Sequence, residues 1–275
     1  MKTYKTIVFV IISLLLLGQI FSGCGVEEKE ASWYQAVVDD LIALQPYEVP
    51  EHLRQENCSK NGTEFDVNEY FNVMTNLSIE PGYVLDYVYK FEFLGGQPFL
   101  YVKAGSEKPF LSYEEYYLKT MYQEGIDDVY GIVTPLWNQQ SGSFEDKIRI
   151  DGSKEGFFQY VVLQVLGGQF YLFWHANYND WRIICEPSRI DTIVEQVLNS
   201  GYQEGIPAGF AEKAKALDCK PVVELKDDTA AVSLLIFTDW GGFKRLTFTM
   251  KRDYPHTIID YRSETLLEYD CGIMF

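Results

Sequence analysis

A four-residue sequence that occurs twice constrains the architecture of this chain more than any other feature. Leu-Gly-Gly-Gln stands at residues 94–97 and again at residues 166–169. A second pair of matches agrees with the first, because Tyr-Gln-Glu-Gly-Ile occurs at residues 122–126 and at residues 202–206. Adjacent glycines supply the positive φ angles that tight hairpin turns require. The matches therefore predict a diverged internal repeat built from β-hairpins.

The order of the predicted elements divides most of the chain into three units. Each unit is predicted to be a helix followed by four antiparallel strands in a meander, over residues 65–126, 127–206 and 207–275. We expect residues 83–103 and 157–175 to be equivalent hairpins of the first two units. A sheet that buries one face under a helix with an apolar stripe makes the predicted fold class α+β. Repeats need neighbours to bury their faces, so we expect the units to pack together.

The element order of these units resembles that of cystatin-like and NTF2-like α+β folds. The resemblance rests on order alone and implies no function. In the third unit, the helix and the four strands are predicted at residues 208–217, 221–225, 230–237, 243–250 and 257–261.

Three helices have clear signals of their own. The segment of residues 33–64 begins with an amphipathic helix at residues 33–45 and continues as an irregular loop. Residues 188–198 carry an apolar stripe at helical spacing. Ser112 and Glu115 form a capping box, which predicts that a helix begins there.

The first 23 residues have the pattern of an export signal. Lys2 and Lys5 precede an apolar run from Ile7 to Leu17. This run of eleven residues is too short to span about 30 Å of hydrocarbon as a helix. Small residues and Cys24 follow, as they do at cleavage sites of exported proteins.

Residues 21–24, Phe-Ser-Gly-Cys, resemble the lipobox of bacterial lipoprotein precursors, although Phe21 stands where the family usually has leucine. The resemblance covers about the first 25 residues. It implies cleavage before Cys24, a diacylglyceryl group on its sulfur and a lipidated tether over residues 24–32. The expected location is the bacterial cell envelope, and Gly25 is similar to the residue found in lipoproteins that move on to the outer membrane or cell surface. An ordinary signal followed by a chance cysteine is the alternative.

The charge of the chain argues against nucleic acid as a partner. The formal net charge is −17, and removing Lys2 and Lys5 with the signal gives −17 − 2 = −19. Such a charge repels phosphate backbones. The predicted attachment to the membrane is the lipid on Cys24.

Four cysteines remain beyond the anchor, and their pairing stays open. They are Cys58, Cys185, Cys219 and Cys271. Two disulfides, one or none would all be compatible with an exported protein. No Cys-x-x-Cys or nearby histidine suggests metal ligands, so the sequence predicts neither a metal site nor a cofactor.

A polar and aromatic cluster is the candidate ligand-binding site. It follows a predicted central strand at residues 169–175, and it could stack tryptophans on sugar rings or place His175 as a base beside Asp180. A plain turn between two strands is the alternative that the composition favours. The cluster comprises Trp174, His175, Asn177, Tyr178, Asn179, Asp180, Trp181 and Arg182.

The sequence favours binding over catalysis. It lacks the Gly-x-Ser-x-Gly, His-Glu-x-x-His, P-loop and dinucleotide-binding patterns, so no catalytic residue is assigned. The preferred interpretation is a non-catalytic binding or structural protein of the envelope, with a glycan or a protein as ligand. The alternative is an envelope-facing hydrolase that acts on a glycan or another polymer.

The lipid anchor gives the first testable prediction. Replacing Cys24 with alanine removes the sulfur that would carry the lipid, so we expect a Cys24→Ala protein to stay unprocessed and unlabelled in cells fed a clickable fatty acid. Cys58→Ala serves as the control and should label normally. Label retained on the Cys24→Ala protein would refute the anchor.

Overall fold

The computed structural model describes residues 33–92, 95–120, 144–174, 181–201 and 204–272. Within these ranges helices and antiparallel sheets both occur, which confirms the α+β fold class. The helices are α1 (residues 33–44), α2 (Tyr70–Val73), α3 (Tyr113–Lys119), α4 (Lys154–Leu166), α5 (Pro187–Asn199) and α6 (Phe210–Lys215). The strands are β1 (Leu77–Ile79), β2 (Tyr83–Glu92), β3 (Gly95–Ala104), β4 (Ile148–Ile150), β5 (Phe173–Trp174), β6 (Arg182–Ile184), β7 (Val222–Leu225), β8 (Thr229–Thr238), β9 (Gly242–Lys251) and β10 (Ile258–Leu267). None of the helices in the described ranges is long and apolar enough to cross a bilayer.

Helix α4 lies at the centre of the main core. It begins after Ser153, whose Oγ accepts a hydrogen bond from the Gly156 amide at 2.9 Å. From Gly156 to Leu166 every residue is buried. A helix that is apolar on all sides must be enclosed by other elements. Helix α1 covers one side of it, and the Tyr34 ring lies 4.5 Å from that of Phe158.

The predicted hairpin at residues 157–175 is therefore wrong, and with it the equivalence to residues 83–103. A largely apolar run at residues 157–166 fits a buried strand and a buried helix equally well by periodicity. The cap at Ser153 and the enclosure by neighbouring elements select the helix. Gly167 does not reverse a hairpin but ends α4, where its amide donates to the Leu163 carbonyl at 2.8 Å.

The glycines of the first Leu-Gly-Gly-Gln do not form the turn either. Gly95 and Gly96 lie in β3, opposite Glu92 and Phe91 of β2. A Cβ on Gly96 would overlap the Tyr89 hydroxyl and lie 2.9 Å from its Cζ. Glycine is required here because an aromatic ring crosses the strand. The two copies of the sequence thus occupy different local structures.

The third predicted unit forms the elements expected of it. Helix α6 is followed by β7, β8, β9 and β10, and each strand pairs antiparallel with the next. Strand β6 also pairs with β8, through Arg182 opposite Phe237. The unit therefore shares its sheet with a strand from the preceding part of the chain.

A smaller sheet carries the hairpin of β2 and β3. Its strand order is β2-β3-β5, and β1 pairs separately with β4. One face of the hairpin packs into the main core, through Leu85, Tyr87 and Tyr89. Helix α3 covers the other face, where Tyr116 of the helix and Val88 of β2 belong to one small apolar cluster. The hairpin is thus packed on both faces.

The four cysteines of the described ranges form no disulfide with one another. Cys58, Cys185 and Cys219 are buried, and Cys271 is partly buried. Of the open alternatives, the structure shows the one without disulfides.

Gly96 and Gly168 give a matched test of this packing. Gly96→Ala should lower the free energy of unfolding by about 1–3 kcal/mol, because the new methyl group must displace the Tyr89 ring. Gly168→Ala is the control, since its Cβ would lie 3.7 Å from the Pro98 carbonyl oxygen, an ordinary contact. We expect it to change stability by less than about 0.5 kcal/mol. Equal denaturation midpoints for the two variants would contradict the close approach at Gly96.

Candidate ligand-binding pocket

The structure describes only part of the predicted cluster. His175, Asn177, Tyr178, Asn179 and Asp180 lie outside the described residues. The remaining members are Trp174, Trp181 and Arg182.

The strand predicted before the cluster is much shorter than expected. Of its described residues, 169–174, only Phe173 and Trp174 pair, with Gly96 and Gly95, and Trp174 is 46% exposed. The prediction of a central strand covered on both faces is wrong. The reason lies in the backbone, because Tyr171 and Trp174 both have a φ of 51°, which interrupts an extended chain.

The other described members hold strand β6 in place. The Trp181 amide donates to Gln169 Oε1 at 3.0 Å. Arg182 forms an ion pair with Asp239 at 2.6 Å, and its guanidinium lies 4.8 Å from the ring centre of Phe237. These contacts give Trp181 and Arg182 structural roles at this edge of the larger sheet.

A pocket lies at the end of the β2 strand, and the sequence did not predict it. Its volume is about 410 Å³, within the size range of small-molecule sites. Strand β2 forms one wall, helix α3 a second and the loop of residues 56–58 a third. Across the smaller sheet, Glu92 in this wall pairs with Gly95, which pairs with Trp174. Two strand spacings, roughly 10 Å, therefore separate the backbone of Trp174 from the pocket wall.

Helix α3 presents an aromatic wall. Ser112 Oγ accepts a hydrogen bond from the Glu115 amide at 3.2 Å, and the Glu115 carboxylate accepts one from the Leu111 amide at 3.2 Å. The predicted capping box is confirmed for the hydrogen bond that Ser112 accepts. The Glu115 carboxylate accepts from the Leu111 amide instead of the Ser112 amide. Tyr113 and Tyr117 are four residues apart on the helix, so their rings stack, with centroids 6.2 Å apart at an angle of 23°.

The β2 wall contributes a cation that is held by its neighbours. The Lys90 ammonium lies 4.9 Å from the centre of the Tyr113 ring and 3.0 Å from the Glu92 carboxylate. The Lys90 side chain is only 10% exposed. A cation–π contact and an ion pair therefore fix this charge against the aromatic wall.

The loop wall contains a thiol that is poorly suited to act as a nucleophile. Cys58 is buried, and its Sγ–H donates to the Tyr89 carbonyl at 3.6 Å. Burial raises the pKa of the Cys58 thiol above its ordinary value. Because the thiolate is the reactive form, Cys58 is expected to be inert at neutral pH.

The rim of the pocket is acidic. Glu56, Glu92 and Glu114 contribute three carboxylates to its lining, against the single cation of Lys90. Glu92 is paired with Lys90, whereas Glu56 and Glu114 make no ion pair within the described ranges. The pocket therefore combines stacked rings with excess negative charge, which suits a ligand with an aliphatic or flat surface and hydrogen-bond donors.

The carboxyl group of Glu145, which lies outside the pocket beside the central helix, is unusual. Glu145 Oε1 is buried and has no hydrogen-bond partner among the residues that the structure describes. Burial, with a smaller contribution from the charge of Asp146, raises the pKa of Glu145 to about 7. The carboxyl group is therefore protonated in the folded protein under mildly acidic conditions.

Comparison with known proteins identifies no relative: no protein-family model, curated protein or solved structure matches the chain significantly. In the described ranges, no group of three or more histidine, cysteine, aspartate and glutamate side chains is arranged to hold a metal ion. The pocket is therefore interpreted from its own residues.

The pKa of Glu145 predicts a pH-dependent stability. Because the pKa of Glu145 in the folded state is raised above its ordinary value of 4.5, the protonated carboxyl group contributes to the stability of the folded protein. This contribution is fully present below about pH 4.5 and is lost as the pH rises through about 7. Glu145→Gln keeps the shape of the side chain and removes its titration. The free energy of unfolding of this variant minus that of the wild type should therefore rise by about 2 kcal/mol from pH 5 to pH 8. Urea denaturation at both pH values measures this change. A difference between the two proteins that does not vary with pH would contradict the buried carboxyl group.

Proposed function

We propose that this protein is an exported bacterial lipoprotein, anchored in the cell envelope through Cys24, that binds a ligand in the pocket between β2 and α3 without transforming it. The signal-like residues 1–23 and the lipobox-like residues 21–24 support the anchor and the export. Residues 24–32 would then connect the lipid to the folded part of the chain. The outer membrane or the cell surface is the proposed location.

The observation that supports a binding role is that the amine and the thiol in the pocket are both engaged by neighbouring groups of the protein. Lys90 is held by Glu92 and Tyr113, and the Cys58 thiol is bonded to the Tyr89 carbonyl. These groups stabilise the walls and are not poised for proton transfer or nucleophilic attack. The stacked rings of Tyr113 and Tyr117 offer the kind of surface on which a ligand packs.

The proposed resemblance to cystatin-like and NTF2-like folds applies to residues 207–275 alone. There, α6 precedes the four-stranded meander of β7 to β10. It concerns the order of elements and is independent of the proposed binding role.

The aromatic wall provides the test of the binding role. Fluorescently labelled full-length protein would be applied to glycan and peptide arrays, and Tyr117→Ala should weaken its signal about tenfold because it removes one of the stacked rings. Leu118→Ala is the matched control, since Leu118 is exposed on the same helix and does not line the pocket. Melting curves of both variants would show whether each remains folded.

Three outcomes would contradict this proposal. The first is binding that survives Tyr117→Ala unchanged, and the second is no binding to either array. The third is turnover of a polymer in a panel of glycosidase, peptidase and esterase substrates. That result would favour the envelope-facing hydrolase, with carboxylates of the rim as its acid and base.

A further inference from the structure

Strand β2 is the outermost strand of its sheet in the described ranges. The Gly105 amide donates to the Gly82 carbonyl across the hairpin, so even-numbered residues of this strand direct their backbone groups toward β3. The odd-numbered residues Leu85, Tyr87, Tyr89 and Phe91 therefore direct theirs toward the open edge. Such an edge can accept a further strand.

Side chains of the same protein cover the first half of this edge. Asn68 acts like a neighbouring strand, because its amide nitrogen donates to the Leu85 carbonyl at 2.8 Å and its amide oxygen accepts from the Leu85 amide at 3.0 Å. The Asp86 carboxylate accepts from the Tyr87 amide at 2.7 Å. The Cys58 thiol then donates to the Tyr89 carbonyl.

The cover ends where the pocket begins. No residue in the described ranges forms a hydrogen bond with the backbone amide of Tyr89 or with the outward-facing backbone groups of Phe91. Both residues line the pocket. Among the described residues, the half-buried Phe91 thus presents an unpaired carbonyl and an unpaired amide to a walled cavity, next to the buried Tyr89.

We propose that the ligand of this pocket is an extended, basic peptide segment of another protein, which pairs with the edge of β2 at Phe91 as an added strand. This inference rests on the proposed binding role and specifies its ligand. Main-chain hydrogen bonds would supply sequence-independent affinity, as they do in other cases of strand addition. Alternate side chains of the peptide would point toward α3.

The charge of the pocket selects the basic character of the peptide. Glu56 and Glu114 lie on opposite walls, the loop and the helix, and neither forms an ion pair within the described ranges. A lysine or arginine of the peptide can lay its aliphatic stem on the rings of Tyr113 and Tyr117 and place its cation near these carboxylates. The stem and the charge of one side chain would then match two separate features of the pocket.

The same charge argues against two other occupants. A second copy of this chain carries a net charge of −17 and would be repelled by the acidic rim. The segment after Cys24 contributes Glu27, Glu28 and Glu30 and is disfavoured for the same reason.

A designed peptide tests the proposal on the full-length protein. The probe is acetyl-(Lys-Val)₃-Lys-amide, whose binding is measured by calorimetry, and hydrogen exchange is expected to slow at Phe91 when it binds. Two analogues carry N-methyl groups on all lysines or on all valines, so each has lost the donors along one edge. At least one analogue should bind more than tenfold more weakly, because main-chain pairing is blocked on the edge that meets β2.

Charge variants test the acidic rim independently. The Glu56→Gln/Glu114→Gln protein should bind the probe about 3–10-fold more weakly at low salt, and the difference should shrink in 0.5 M NaCl. Glu264→Gln/Glu268→Gln is the matched control, because it removes two exposed carboxylates far from the pocket lining, one in β10 and one directly after it. Its affinity should equal that of the wild type.

The outcomes separate this inference from the binding role itself. Equal affinities of both N-methylated analogues and the parent would rule out strand addition. Equal affinity for a peptide with glutamate in place of lysine would rule out charge selection. If only chitin or peptidoglycan oligosaccharides bind, and Tyr117→Ala removes that binding, the peptide inference fails while the pocket stands. If neither peptides nor sugars bind, both fail.

Discussion

The enclosure of helix α4 is the constraint on which the rest of the structure depends. Its polar side chains lie in the core, where an unpaired buried polar group costs about 1–3 kcal/mol. Gln159 accepts a hydrogen bond from the Asn76 amide at 2.9 Å, and the Tyr160 hydroxyl donates to the His256 carbonyl at 3.3 Å. These bonds join two distant segments of the chain to one helix, since Asn76 precedes β1 and His256 precedes β10.

The end of the same helix positions the pocket. The Gly167 carbonyl accepts a hydrogen bond from Tyr70 at 2.9 Å, and the Tyr171 carbonyl accepts one from Tyr89 at 2.8 Å. The chain after α4 is thus tied to β2, and the missing side chain of Gly96 allows the Tyr89 ring to reach it. Because the core face of β2 is anchored in this way, its next residue, Lys90, is presented to α3 at a fixed distance.

The sequence predicted the elements whose signals are local. The cap at Ser112, the helix near residues 188–198 and the meander of β7 to β10 all depend on spacing within one segment, and the structure contains each of them. Helix α4 was missed because a run that is apolar on all sides has no period, so only its surroundings distinguish a helix from a strand. The pocket was missed because its three walls come from distant segments. The charges of Lys90 and Glu92 at the end of a mainly apolar strand were a local signal for it.

The pattern of cover along β2 connects stability with the proposed function. An open strand edge invites pairing with other chains, and proteins commonly block such edges with side chains or loops. Here Asn68, Asp86 and Cys58 block the edge as far as the Tyr89 carbonyl. The uncovered part, at Phe91, lies between the loop of residues 56–58 and helix α3, which form two walls of the pocket. The gap in the cover thus falls at the pocket, where the walls beside it would supply the rings and the carboxylates for the proposed recognition.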